Sequence, residues 1–154
     1  MAMKTSPHGL AFLRQNEGRV LRVYPDSCGI PTCGVGHVVL QSDHLRLGDT
    51  ITEEQSDAFE LLDVVKCENA INRSVVVEIT QNQFDAMVSL AFNIGVVGFL
   101  SSTVLRDLNA GNIADEKRAF ELWDKDTKNG VLVVDDALLA RRDREVELFL
   151  TPDA

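Results

Sequence analysis

Apolar residues recur along this chain at helical spacing, except in one early stretch where β-branched and aromatic residues cluster between turn signals. Ser6-Pro7 is a helix start, a capping hydroxyl followed by proline at the first helical position. Leu10, Leu13 and Glu17 then fall at i, i+3 and i+7, so a carboxylate continues the apolar stripe before Gly18 stops the helix. Val20 to Tyr24 (VLRVY) reads as a strand, and Pro25-Asp26-Ser27 with Gly29 as a turn. Ile30 to Val35 reads as a returning strand, with a third at Val38 to Leu40, and the polar stretch Gln41 to Thr50 as a loop.

Helical periodicity then takes over. Thr52-Glu53-Glu54-Gln55 is a capping box opening a long helix to about Asn72, with Ala58, Leu61, Leu62, Val65 and Ala70 expected to face inward. Thr80-Gln81-Asn82-Gln83 repeats the signal ahead of Phe84, Met87, Val88, Ala91 and Phe92, which predicts a central core helix. Asn93 to Gly98 ends it in a glycine-rich turn. Ser102 or Thr103 caps a short helix closed by Gly111, a further helix covers Ile113 to Trp123, and Asp124 to Gly130 reads as a polar loop. The last helix, about Asp136 to Leu150, places Leu138, Leu139, Val146 and Phe149 on one side with Arg141 to Arg144 between them. The pattern predicts an α+β, mainly α, fold. It has a small β-hairpin lobe at about 18–52, a connecting helix at about 53–72, and a helical lobe at about 80–150 on which the first helix, 6–17, packs.

Composition narrows the picture. A chain of 154 residues that is 45% hydrophobic can bury a core without cross-links. No apolar run approaches the ~20 residues that span a bilayer, so stable membrane insertion is not expected. The opening MAMKTSPHG has no apolar core of a secretory signal. A formal charge of −9 argues against nucleic acid as a partner. Three cysteines, Cys28, Cys33 and Cys67, are not a disulfide framework and suit a reducing compartment, although Cys28 and Cys33 flank one turn closely enough to pair under oxidation.

The candidate chemistry gathers between Glu17 and His37. A carboxylate closing an apolar stripe is placed as a general acid needs, yet a last-turn glutamate is also ordinary at a solvated helix end. Asp26 at a hairpin tip has a purely local explanation as well. His37 could join Cys28 and Cys33 as a metal ligand, act as a base, or serve as a strut paired with Asp63 of the long helix.

Taken together, Glu17-Gly18, Asp26 nine residues on, Thr32 six further, and Gly34-Val35-Gly36-His37 resemble the phage-type lysozymes, the endolysins of glycoside hydrolase family 24. TQNQFDAMVSLAFNIGVVGF is similar to that family's central helix and ARRDREVELF to its last, so the resemblance covers about residues 6–150. It implies a lysozyme-like fold that hydrolyses the β-1,4 bond between N-acetylmuramic acid and N-acetylglucosamine in peptidoglycan, with inversion. Glu17 would be the acid, with Asp26 and Thr32 positioning the water and the developing sugar cation. It further implies substrate contacts from Asn93 and Gly95, Arg141 and Arg142 either lining the cleft or holding Glu17, a structural role for His37 with Asp63, and neither metal nor organic cofactor. The expected partner is the glycan strand. The expected form is a monomer that accumulates in the host cytoplasm and reaches the wall through a separate pore, a holin. A wall-binding or inhibitory module that keeps the fold without catalysis, a chitin-directed hydrolase and a lytic transglycosylase are the alternatives. The retained Glu17, Asp26 and Thr32 speak against the first, and Asp26 against the last.

Overall fold

The computed structural model describes residues 1–154, which fall into two compact units, Ala11–Val65 and Met1–Leu10 with Lys66–Ala154. Helix α1 (Pro7–Glu17) and the long helix α2 (Glu53–Ser74) contribute residues to both.

In the smaller unit, β1 (Val20–Pro25), β2 (Pro31–Gly34) and β3 (His37–Val38) form an antiparallel sheet in that order. Tyr24 pairs with Thr32 and Cys33 with His37, and an irregularity between Val20 and Tyr24 shifts the register of β1. Val23, Cys33 and Ile51 are the buried centre of this unit, with Leu21, Val39, Leu45 and Phe59 packed around them. The loop after β3 is tied back by an isolated bridge between Arg22 and Thr50.

α2 begins with the expected capping box, Gln55 N donating to Thr52 Oγ1 at 3.1 Å and Thr52 N to Gln55 Oε1 at 2.9 Å. Its inward face is not the expected one. Ala58, Leu61 and Leu62 are exposed, whereas Ser56, Glu60, Val64, Cys67, Glu68 and Ile71 are buried. Polar residues take those positions because each of the two carboxylates has a partner. Arg14 Nε reaches Glu60 Oε2 at 2.9 Å, and Thr5 donates its backbone N–H to Glu68 Oε1 at 2.7 Å.

The larger unit is built on α3 (Gln81–Ile94), whose residues Phe84 to Ala91 are all buried. α7 (Asp136–Leu150) packs along it with Val146, Leu148 and Phe149 buried, and the Phe149 ring lies 5.5 Å from that of Phe120 in α6 (Glu116–Glu121). Ser6 caps α1, accepting from Gly9 N at 3.0 Å while donating to Asp85 of α3. Gly9 leaves room for that carboxylate, since a Cβ would stand 2.5 Å from the Asp85 carboxyl carbon and force it to shift.

Two stretches differ from the sequence reading. The glycine-rich turn after α3 becomes a short helix, α4 (Val96–Leu100), in which Gly98 lies under the Trp123 ring. The polar loop after α6 is instead a hairpin of β4 (Lys125–Lys128) and β5 (Val131–Val134). Asn129 and Gly130 both have positive φ, 53° and 76°, the two-residue turn that matches strand twist. α5 (Thr103–Asn109) is capped by Ser102, which accepts from Leu105 N.

Candidate active site

The hairpin tip between β1 and β2 is organised by Asp26. Its Oδ1 accepts from the backbone N–H of Cys28 and of Ile30, both at 2.8 Å, while its own N–H donates to the Ile30 carbonyl. These bonds fix the carboxyl plane and leave Oδ2 without a protein partner. Thr32, 6% exposed on β2, donates its hydroxyl to the Ile30 carbonyl at 3.0 Å, so its oxygen lone pairs remain available to accept. Glu17 is half-buried in the last turn of α1, with Gly18 beyond it at φ +71°.

Tyr24 pairs with Thr32 across the sheet and feels the charge of both carboxylates. Burial raises the pKa of its phenol first, and the negative charges of Glu17, Asp26 and Cys33 raise it further. Glu17 and Asp26 therefore both act on one side chain, directly across the sheet from Thr32. Sequence reading passed over this tyrosine as one aromatic in a strand.

Behind the sheet, His37 is 3% exposed and stacked on Phe59, with ring centroids 4.1 Å apart and planes within 4°. Its Nδ1 stands 2.6 Å from Asp63 Oδ2 and its Nε2 2.8 Å from Asp43 Oδ2. Burial is the largest influence on the imidazole and lowers its pKa, but the hydrogen bonds and charges of the two aspartates outweigh it and the net shift is upward. Both ring nitrogens face carboxylates, so neither is open to a metal. Asp43 was not foreseen; the local sign is its position three residues after Leu40, whose N–H it also accepts at 2.8 Å. Gly34 (φ +59°) lets the strand run against α2, where a Cβ would meet Ser56 Oγ at 2.9 Å.

Cys28 is exposed and Cys33 buried, and both are free thiols. Burial, then the charges of Asp43 and Asp63, push the Cys33 thiol upward.

The remaining candidates lie in the larger unit. Asn93 is exposed near the end of α3, and its Oδ1 accepts from Arg142 Nη2. Gly95 caps that helix with its N–H donated to the Ala91 carbonyl and its carbonyl accepting from Phe99 N. Its N–H is thus committed to the helix, and what Gly95 offers a ligand is open space, since a Cβ would meet nothing within 4 Å. Arg141 and Arg142 correct the expectation of cations that meet substrate. They are 5% and 0% exposed, and Glu145, fully buried, accepts from both. Arg141 also donates to the Ser89 carbonyl at 3.1 Å, and Arg142 Nε to the Trp123 carbonyl at 2.9 Å. They brace α7 against α3. Trp123 itself is half-buried.

Residues 14–145 match the family model described as phage lysozyme. The chain belongs to the phage lysozyme family. An endolysin of Salmonella phage P22 is 44% identical over 150 residues, which cover 97% of this chain and 99% of that protein. Among solved structures, an endolysin from Escherichia coli O157:H7 phage FAHEc1 superposes with a TM-score of 0.90 at 37% identity, covering 97% of this chain and 95% of that one. The muramidase domain of SpmX from Asticaccaulis excentricus gives 0.86 at 36% identity, covering 97% of this chain and 99% of that one. Phage lysozyme membership makes this chain a peptidoglycan hydrolase with the α+β lysozyme fold.

Proposed function

We propose that Glu17 is the general acid of this lysozyme, protonating the glycosidic oxygen between N-acetylmuramic acid and N-acetylglucosamine. Asp26 polarises the attacking water through Oδ2, and Thr32 Oγ1 accepts that water's second hydrogen. The reaction inverts the anomeric carbon, which asks for carboxylates about 6.5–9.5 Å apart so that a water fits between base and sugar. What supports this reading most is that Asp26 keeps one oxygen anchored on two backbone N–H groups and the other unpartnered, with Thr32 on the neighbouring strand able to accept. Asn93 contributes a hydrogen bond to an N-acetyl carbonyl, and Gly95 the room for the group.

The test is product stereochemistry. Proton NMR of early products from purified peptidoglycan should show the α-anomer of the new N-acetylmuramic acid end appearing first. A β-anomer would overturn inversion, and a 1,6-anhydro end would overturn hydrolysis.

In the same reading the chain works as a monomer and reaches the wall through a separate membrane pore. No helix in it is long and apolar enough to cross a membrane, which supports the second point. Expressed alone it should leave host cells intact, and with a pore-forming partner it should lyse them. Lysis without the partner would refute the dependence.

A further inference from the structure

Asn93 is the one exposed member of a chain of buried polar groups that runs from α7 to α3. Glu145 lies at its centre. Oε1 accepts from Ser89 Oγ at 2.7 Å and from Arg141 Nε at 2.9 Å, and Oε2 accepts from Arg142 Nη1. Arg142 then donates through Nη2 to Asn93 Oδ1 and through Nε to the Trp123 carbonyl. Glu145, Arg142 and Ser89 are at most 1% exposed. Ser89 and Asn93 are one helical turn apart on α3, and Arg142 and Glu145 are likewise a turn apart on α7, so two rigid helices set the geometry.

The chemistry of the donors fixes which way the Asn93 amide points. A guanidinium has five N–H donors and no acceptor, so asparagine can meet it only through its carbonyl oxygen. The amide nitrogen is then the free end of an exposed side chain, carrying two donors and no acceptor. Without the Glu145 carboxylate the Arg142 guanidinium would lose the anchor of Nη1, and the orientation of the side chain toward Asn93 would change. Ser89 and Arg141 hold Glu145 itself in place.

We propose that Glu145, supported by Ser89, is a positioning residue of the glycan site. Through Arg142 it locks the Asn93 amide so that only N–H donors face the substrate, selecting a carbonyl oxygen such as that of an N-acetyl group. The proposal rests on the reading of Asn93 as a substrate contact.

The test compares Glu145→Gln, Ser89→Ala, Asn93→Asp and wild type on purified peptidoglycan, with the Asn93 side-chain amide followed by ¹⁵N-correlated NMR. Ser89→Ala removes one hydrogen bond from Glu145 with little change of volume, so it reports even if Glu145→Gln does not fold. Expected are a displaced Asn93 amide resonance and an apparent KM raised about three- to tenfold, with kcat within about twofold, as loss of one uniformly made hydrogen bond requires. Asn93→Asp, which puts an acceptor where the donor was, should raise KM at least as much. An Asn93 resonance unmoved in the folded variants would overturn the positioning role. A resonance displaced in Glu145→Gln or Ser89→Ala together with a KM unchanged in Asn93→Asp would instead overturn Asn93 as a substrate contact, and the functional part of the proposal with it.

Discussion

Glu116 offers a test of the larger unit that involves no substrate. It sits at the first position of α6, fully buried, and neither carboxyl oxygen has a hydrogen-bond partner. Burial, reinforced by the charges of Asp107 on α5 and Asp115 in the preceding turn, pushes its pKa from the ordinary 4.5 up to about 8. On the α7 side, Arg142 and Glu145 are paired with each other. The fold therefore keeps Glu116 protonated at neutral pH, whereas the unfolded chain ionises it. Between pH 4.5 and about 8 the unfolded state binds fewer protons, so stability falls as pH rises and levels off above the folded value. At about 1.4 kcal/mol per unit, the loss is about 3 kcal/mol at neutral pH and about 5 kcal/mol by pH 8. Glu116→Gln has nearly the same shape and is neutral throughout. Its stability advantage over wild type should be near zero at pH 4.5 and grow to those values, read from urea unfolding at a series of pH values with Trp123 fluorescence. A difference that stays flat with pH, or a wild type that gains on the variant as pH rises, would refute the reasoning.

Three further outcomes follow, two of them from the smaller unit alone. Asp63→Asn should lower the His37 pKa in an NMR titration and cost about 2 kcal/mol, the worth of a charge-assisted hydrogen bond. Because the folded His37 pKa is raised, that deficit should be full below the ordinary value of 6.5 and shrink as pH passes the folded value; an unmoved imidazole would remove Asp63 from the strut. Gly34→Ala should destabilise by about 1–3 kcal/mol, since it forces a non-glycine residue to positive φ and a Cβ against Ser56, and an unchanged urea midpoint would contradict that packing. A thiol reagent at neutral pH should label Cys28 rapidly in the folded protein and spare Cys33 and Cys67, which are 0% and 4% exposed, until denaturant is added. Equal labelling of Cys33 would mean the sheet opens readily.

What was legible in the sequence was what depends on near neighbours. The capping boxes at Thr52 and Thr80 and the turn at Asp26 are set by residues two to four positions away, and they form at those positions. Asn129-Gly130 was an equally local hairpin signal, masked by the polar composition of Lys125–Lys128. Long-range partners are a different matter. The inward face of α2 was misread because periodicity assigns leucine to the core. Leu61 and Leu62 are nevertheless 63% and 61% exposed, while Glu60 and Glu68 are buried against residues about 46 and 63 positions away. Arg141 and Arg142 were expected at the substrate for the same reason, since the Ser89 and Asn93 that hold them inside lie about fifty residues earlier in the chain. Tyr24 carries no sign of its role until β1 is registered on β2 and both carboxylates are placed around it.

The most direct test of the proposed mechanism is cell-wall clearing by Glu17→Gln beside wild type, with circular dichroism and the thermal midpoint recorded on both. If Glu17 protonates the leaving oxygen, the variant should keep its fold and clear walls about 10²- to 10⁴-fold more slowly, the usual contribution of a general acid. Equal clearing by the two proteins would contradict the assignment.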